Sequence, residues 1–343
     1  MARTPRKSGQ AVTMQAVADR AGVSAMTVSH VINGTKKLRE ETRDAVLAAI
    51  EALGYVPNVA ARALASAQST RIGIVYRNAQ NAFLSAMLVG TLNAAARLGA
   101  QVIIRKCDSF STQDATDAVS SLLRSGANAI LLAPPYSELL TGTDFSAGLK
   151  VPVAAIAHGD ALDDMDSIGV DEMAAARAMT EHLIGRDHRR IGFVTGPETH
   201  SAAARRLAGY NQALAAHGIT ADPALVQPGD FSFESGLVAA AALLDLPEPP
   251  TAIFASNDDM AAAASLIAHQ RGLRIPEDLA VAGFDDAPIA VKIWPPLTTV
   301  RQEIDHMAER ATEIMVARHR EGGRPDQTLS EQVGFAVIER EST

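Results

Sequence analysis

The chain has 343 residues, enough for two or three domains with a sizeable core. Its net charge of −8 is unevenly divided: Met1 to Arg71 carries ten Lys and Arg against five Asp and Glu, about +5, and the remainder about −13. One cysteine, Cys107, excludes an internal disulfide and a multi-cysteine zinc site, and no stretch approaches the roughly 20 apolar residues that span a bilayer. A basic head on an acidic body suits a protein that places one end on phosphates, although a basic tail on an ordinary enzyme fits the charge equally well.

Met1 to Gln10 lacks the apolar centre of a signal peptide, so a soluble cytoplasmic protein is expected, with Arg3, Arg6 and Lys7 on an arm that brushes phosphates. Two short amphipathic helices follow within Thr13 to Asn33. Val17, Ala18 and Ala21 form the inner face of the first, and Gly22 supplies the residue that leaves a helix through positive φ. Ser24 caps the second helix, with Thr27 three residues on and Val28 and Val31 pointing inward. A helix, a glycine turn and a capped second helix make the layout of a DNA-reading helix-turn-helix, although short capped helix pairs also occur in other settings. A third helix spans Glu40 to Leu53, with Val46, Leu47, Ile50 and Leu53 at helical spacing. The alanine-rich segment from Pro57 to Ser66 reads as a helix too short to stand alone in water.

From Ile72 the rhythm changes to short apolar strands alternating with alanine-rich helices, the signature of a parallel α/β sheet. One set of strands runs from Ile72–Tyr76 to Val153–Ala157, and a second opens at Ser167–Val170 and ends with Leu279–Gly283. Two such sets predict two doubly wound lobes with a cleft at the carboxyl ends of their strands. Leu297–Val300 is expected to cross back to the first lobe, carrying a helix from Asp305 to His319, and Val333–Ile338 reads as one final strand.

The head pattern Thr13, Val17-Ala18, Ala21-Gly22-Val23-Ser24, Thr27-Val28-Ser29, Val31 and Asn33-Gly34 continues through Thr42-Arg43, Leu53-Gly54-Tyr55, Pro57-Asn58, Ala61-Arg62 and Leu64. It resembles the LacI/GalR family of transcription repressors, and the resemblance extends over nearly the whole chain. It implies an α/β fold: an N-terminal all-α helix-turn-helix head (1–56), a hinge helix and linker (57–71), and a two-lobe body like that of periplasmic sugar-binding proteins (72–343). Lobe 1 is expected over about 72–166 plus 300–330, and lobe 2 over about 167–299 plus 331–343. The family's base-reading positions fall on Ala25, Met26 and His30, where small or apolar side chains suit thymine methyls and a histidine suits a purine edge. Many relatives have arginine at the His30 position, so base preference is expected to differ at that step. Thr13, Ser24, Thr27, Ser29, Asn33 and Thr42 suit phosphate oxygens, and Tyr55 and Asn58 join them by resemblance. Leu64 corresponds to a leucine that wedges into the minor groove once two hinge helices pair, with Ala61 small enough for close approach. Arg39 stands where relatives have a capping serine or threonine, so the third helix is expected to start less sharply.

In the body the resemblance selects Arg206, Asn257 and Asp285 as polar ligands of a small effector, Phe231 as an aromatic that stacks on it and Phe83 as the opposite wall. Ala157, followed by His158, stands where relatives often have a ligand-binding aspartate, and Ala203 replaces a polar residue. The expected protein is a homodimeric repressor of double-stranded palindromic operator DNA, controlled by a saccharide, with no membrane partner, no cofactor and no metal. Glu339–Thr343 follows soon after the last strand, where the family's tetrameric members add a leucine-heptad helix, hence the expectation of a dimer. A nucleoside or purine effector, or a sugar-binding protein without a DNA role, are the alternatives. An enzyme is disfavoured, since the sequence holds no Walker-type loop, metal-ligand cluster or G-x-S-x-G elbow.

Overall fold

The computed structural model describes residues 12–33, 39–55, 69–77, 82–107, 109–324 and 327–343. The chain divides into two compact units, Met1–Ser69 and Thr70–Thr343. Among the described residues no helix is long and apolar enough to cross a membrane.

The head has three helices, α1 (Met14–Ala21), α2 (Ala25–Asn33) and α3 (Glu40–Leu53). Their ends follow from side chains three residues away. Thr13 Oγ1 accepts from the Ala16 amide, Gly22 leaves α1 at φ 68°, and Ser24 Oγ accepts from the Thr27 amide at 3.1 Å. Val17, Ala18 and Val28 are fully buried and pack with Val46, Ala49 and Tyr55. Arg39 occupies the cap position of α3 without a side-chain cap, and Glu40 and Glu41 supply negative charge to its first turn instead. Leu47 departs from the helical pattern: it is 47% exposed, because the buried stripe of α3 runs through Val46 and Ala49.

The body contains two six-stranded sheets. The first has the order β11-β5-β4-β3-β1-β2 and is parallel throughout. Its strands are β1 (Arg71–Tyr76), β2 (Gln101–Lys106), β3 (Ala129–Leu132), β4 (Val153–Ile156), β5 (Asp166–Val170) and β11 (Ser330–Val333). The second has the order β12-β10-β9-β8-β6-β7, with β6 (Ile191–Val194), β7 (Val226–Gln227), β8 (Ala252–Ala255), β9 (Ala280–Asp285), β10 (Thr298–Gln302) and β12 (Phe335–Ile338). In it only β12 runs antiparallel, against β10.

Three strand assignments are corrected by this topology. Ser167–Val170 closes the first sheet rather than opening the second, pairing in parallel with β4. Thr298–Gln302 stays in the second sheet beside β9, so the chain crosses at Glu303 and not before Leu297. The expected single strand Val333–Ile338 is two, divided at Gly334, and its halves join different sheets. The lobes are therefore joined by three crossings, at Asp171, Glu303 and Gly334.

Helices α4 (Ala82–Leu98), α5 (Thr112–Arg124) and α12 (Ile304–Arg320) cover the first sheet, with two short helices, α6 (Tyr136–Leu140) and α7 (Asp144–Gly148), after β3. Helices α8 (Glu172–Gly185), α9 (Ser201–Ala216), α10 (Phe233–Leu244) and α11 (Asp258–Gln270) cover the second. Gly90 lets α4 lie against α12: a Cβ there would stand 2.1 Å from the Asp305 carbonyl oxygen. Strand residues such as Ile72, Leu131, Phe193 and Phe254 are essentially excluded from solvent, each contributing about 1.5–3 kcal/mol through burial. This packing holds the strand ends, and the loops that follow them, in place on either side of one cleft.

Candidate functional site

On the head, the surface that α2 offers is set by its register against α1 and α3. Val28 faces the core, which leaves Met26 70% exposed, and His30, four residues on, is half-buried on the same side. Ala25 is partly buried against the head core. Thr13 and Ser24 act as helix caps, and Thr27 Oγ1 lies 2.9 Å from Ser24 Oγ, while Ser29 and Thr42 are half-buried. Tyr55 lies largely in the head core. It is only 7% exposed and packs among Val17, Ala18 and Val46, because the Gly54 turn sends the chain back over α3. Asn58, Ala61 and Leu64 lie outside the described residues, as do Arg3, Arg6 and Lys7, and Asn33 is described only as the end of α2.

In the body, Phe83, Arg206, Phe231, Asn257 and Asp285, chosen from five separate segments, line one inner chamber of about 80 Å³. Pro134, Ala157, His200, Ala202 and Gln302 complete its wall. The chamber opens into a larger one of about 850 Å³ that shares Phe83, Pro134, His200 and Phe231.

Arg206 organises the inner chamber. It comes from the second turn of α9 and is 4% exposed. Its Nε and Nη2 donate to the two carboxylate oxygens of Glu172 at 2.7 and 3.2 Å, and its Nη1 donates to the Ser256 carbonyl. The guanidinium carbon stands 3.6 Å over the centroid of Phe284 and 5.9 Å from that of Phe231. Burial opposes its charge, but Glu172, Asp285 and Asp258 together outweigh burial and hold its pKa above the ordinary value.

Asp285 ends β9 and accepts a hydrogen bond from Gln302 Nε2. Burial pushes its carboxyl up to about 6, against the pull of Arg206 and Gln302. Behind it Asp258, fixed by Thr299 Oγ1 and the Ala287 amide at 2.6 Å each, is held well above the usual range by burial and then by Asp285. Asn257 Oδ1 caps α11 and its Nδ2 donates to the Phe231 carbonyl at 2.9 Å, which leaves at most one amide hydrogen for the cavity. That bond holds Phe231 at φ 68°, and Gly196 makes room for the ring, since a Cβ there would fall 2.2 Å from it.

Three of the five non-glycine residues at positive φ among those described, Ala157, Phe231 and Asp285, line this chamber. Backbone strain of about 1–3 kcal/mol per residue concentrated in one cavity marks a functional surface. Two acceptors are buried in its wall or just behind it without a hydrogen-bond partner among the described residues: Gln302 Oε1, on a residue 4% exposed, and Ser256 Oγ. Walls of Phe83, Phe231 and Pro134 with a few convergent donors and acceptors suit a small polar ligand with an apolar face. Among the described residues no group of three His, Cys, Asp or Glu could hold a metal.

Ala157 turns its methyl toward the chamber at φ 51° and puts no carboxylate on that wall. His158 points elsewhere: it is 9% exposed, with Nδ1 at the Asp160 loop and Nε2 3.9 Å from Glu138. Glu138, from the first lobe, also accepts from Ser201 Oγ at 3.0 Å and from the Ser201 amide at 3.2 Å, at the start of α9 in the second. Ser201 Oγ accepts in turn from the Gly159 amide, and Arg205 pairs with Asp160 beside it. Ala203 is buried within α9, and its neighbour Ala202 is the one that reaches the cavity.

Sequence reasoning missed Glu172, His200, Gln302 and the Glu138–Ser201 bridge. Glu172 opens a helix after Asp171 and reads as an ordinary first-turn acid, and Gln302 reads as the polar end of a strand. His200 has its imidazole edge-on to Phe231 at 5.4 Å, and burial lowers its pKa despite Glu138.

The profile of bacterial regulatory proteins of the lacI family matches residues 13–58, and that of a periplasmic binding protein-like domain matches residues 180–343. The HTH-type transcriptional regulator DegA of Bacillus subtilis (strain 168) is 32% identical over 317 residues, 92% of this chain and 91% of DegA. The regulator CelR of Thermobifida fusca is 33% identical over 89% of this chain and 91% of its own. The repressor CytR of Escherichia coli (strain K12) is 34% identical over 87% and 86%. Among solved structures, a CelR–cellobiose complex covers 97% of this chain and 100% of its own at 30% identity and TM-score 0.71. The Lac repressor bound to ONPG in the repressed state matches at 27% identity and TM-score 0.73, covering 97% of this chain and 100% of its own.

Proposed function

The chain belongs to the lacI family of bacterial regulatory proteins, and from that premise we propose that it is a repressor whose hold on a palindromic operator is set by a saccharide in the body's cleft. The observation that carries the reading is the convergence of Phe83, Arg206, Phe231, Asn257 and Asp285 on one strained chamber with a buried free acceptor, Gln302 Oε1. Guanidinium donors, a carboxylate and an amide oxygen match the alternating donors and acceptors of sugar hydroxyls, and Phe231 matches the apolar face of a ring. A solved relative bound to cellobiose supports the same class.

Two heads of a homodimer read the operator. α2 enters the major groove, Met26, Ala25 and His30 meet base edges, and Thr13, Ser24, Thr27, Ser29, Asn33 and Thr42 hold phosphates. The head occupies 1–56 and the hinge 57–71, where Asn58, Ala61 and Leu64 meet the operator centre, and the body starts at residue 72. The protein acts in the cytoplasm, where the operator is.

The test is operator binding by the full-length protein, followed by fluorescence anisotropy on a duplex selected from a randomised pool. A panel of mono- and disaccharides, with cellobiose among them, is titrated in. One of them should change operator affinity by about 5- to 150-fold. A response to nucleosides alone would overturn the saccharide assignment and leave the repressor standing.

A further inference from the structure

The two chambers of the cleft differ in charge. In the inner one, Arg206 is the cation, and its guanidinium is already engaged by Glu172 and faces Asp285. An anionic group entering there would meet Asp285, with no uncommitted positive charge among the described lining residues to receive it. The inner chamber therefore suits an uncharged, hydroxyl-rich ring.

The outer chamber is basic. β1 and β2 pair in parallel with Tyr76 opposite Lys106, so Lys106 and Arg77, the residue after Tyr76, emerge together at the carboxyl ends of neighbouring strands. Both residues line the outer chamber. The Arg77 guanidinium carbon lies 4.3 Å over the Phe110 ring, which fixes its plane and leaves N–H edges for an acceptor. Among the described residues Arg77 takes part in no ion pair, and it is exposed. Among the described residues the one carboxylate lining this chamber, Asp230, is on the other lobe and is already bonded to the amide and hydroxyl of Ser232.

We propose that the effector is an anionic saccharide, its uncharged ring held by Arg206, Asp285 and Gln302 and its carboxylate or phosphate received by Arg77. This inference rests on the saccharide reading and narrows it. The space fits: an outer chamber of about 850 Å³ lies within the roughly 300–1,000 Å³ range of sites that enclose small ligands.

Calorimetric titration of the full-length protein tests it with matched series: glucose, glucuronate and glucose 6-phosphate; galactose, galacturonate and galactose 6-phosphate; cellobiose and its uronic acid. In the series that binds, an acidic member should bind about tenfold tighter than the neutral one, the worth of one charge-assisted hydrogen bond. Whether the carboxylate or the phosphate shows the gain identifies the anion. Arg77→Gln, at an exposed position, should erase the preference and leave neutral-sugar affinity unchanged. Equal affinity for neutral and acidic members, unaltered in Arg77→Gln, would overturn the anion assignment while the saccharide reading survives. Binding of no saccharide by protein that still binds operator would remove both.

Discussion

Arg206 carries a full charge at 4% exposure, and Glu172, at 1%, is the partner that makes this tolerable. Removing one member leaves the other charged and dry, so Arg206→Ala is expected to cost about 3–5 kcal/mol of body stability as well as effector response. Urea unfolding of Arg206→Ala, Glu172→Gln and the double variant checks this, and the double variant should lose clearly less than the two single losses combined. Asp285 yields a pH prediction. Its carboxyl, raised to about 6 by burial, keeps a proton that the unfolded chain has released above about pH 4. This group's contribution to stability is therefore full below about pH 4, falls as pH rises to about 6 and stays low above that. Asp285→Asn should gain stability relative to the parent across that window, by up to about 3 kcal/mol, and urea midpoints near its two ends measure it. An equal offset at both ends would show that Asp285 does not titrate there.

Elements meet here through short, specific junctions. In the head, Ser24 joins α1 to α2 by capping the Thr27 amide, and Ser24→Ala is expected to cost about 1 kcal/mol. Faster hydrogen exchange in the first turn of α2, with effector binding unchanged, is the measurement. In the body, the Gly159 loop of the first lobe abuts the start of α9 in the second, and a Cβ at Gly159 would stand 2.9 Å from the Ser201 carbonyl carbon and the Ala202 amide nitrogen. Gly159→Ala should push this junction apart and break the Gly159–Ser201 and Glu138–Ser201 bonds. The amides of Gly159 and Ser201 should then exchange faster, and unchanged protection at both would show that the junction accommodates the methyl.

At the scale of the molecule, the proposed two-fold operator would need two heads, and α4 offers an exposed apolar surface on which two chains could pair. Val89 and Leu92, three residues apart on one face, are 54% and 52% exposed, and Ile104 of the neighbouring β2 is 51% exposed. Sedimentation equilibrium should find a dimer, and the pair Val89→Glu and Leu92→Glu should shift it to monomer. Operator affinity should collapse in that variant while effector binding survives, because the cleft lies within one chain. A dimer that persists unchanged would place the pairing surface elsewhere.

The head was legible in the sequence because its determinants are local. Thr13, Gly22 and Ser24 act on amides and dihedrals three or four residues away, and α3 starts at Glu40 and ends at Leu53 as its pattern predicts. The alternation of strands and helices in the body was legible for the same reason, and resemblance brought five cleft residues to one chamber. Which way an apolar residue faces was less so: Leu47 points outward and Tyr55 inward, because packing against α1 and α2 decides the rotation of α3 and the path after Gly54. Sheet membership was not legible at all. Asp166–Val170, Thr298–Gln302 and the two halves around Gly334 are short strands that either sheet could accept, and their pairing is settled by partners distant in sequence. Gln302 acquires its place in the cleft, and Glu172 its place behind Arg206, from those crossings. Their surroundings come from the second lobe folding around Arg206, and a buried charge pair exists only once both partners have lost water together.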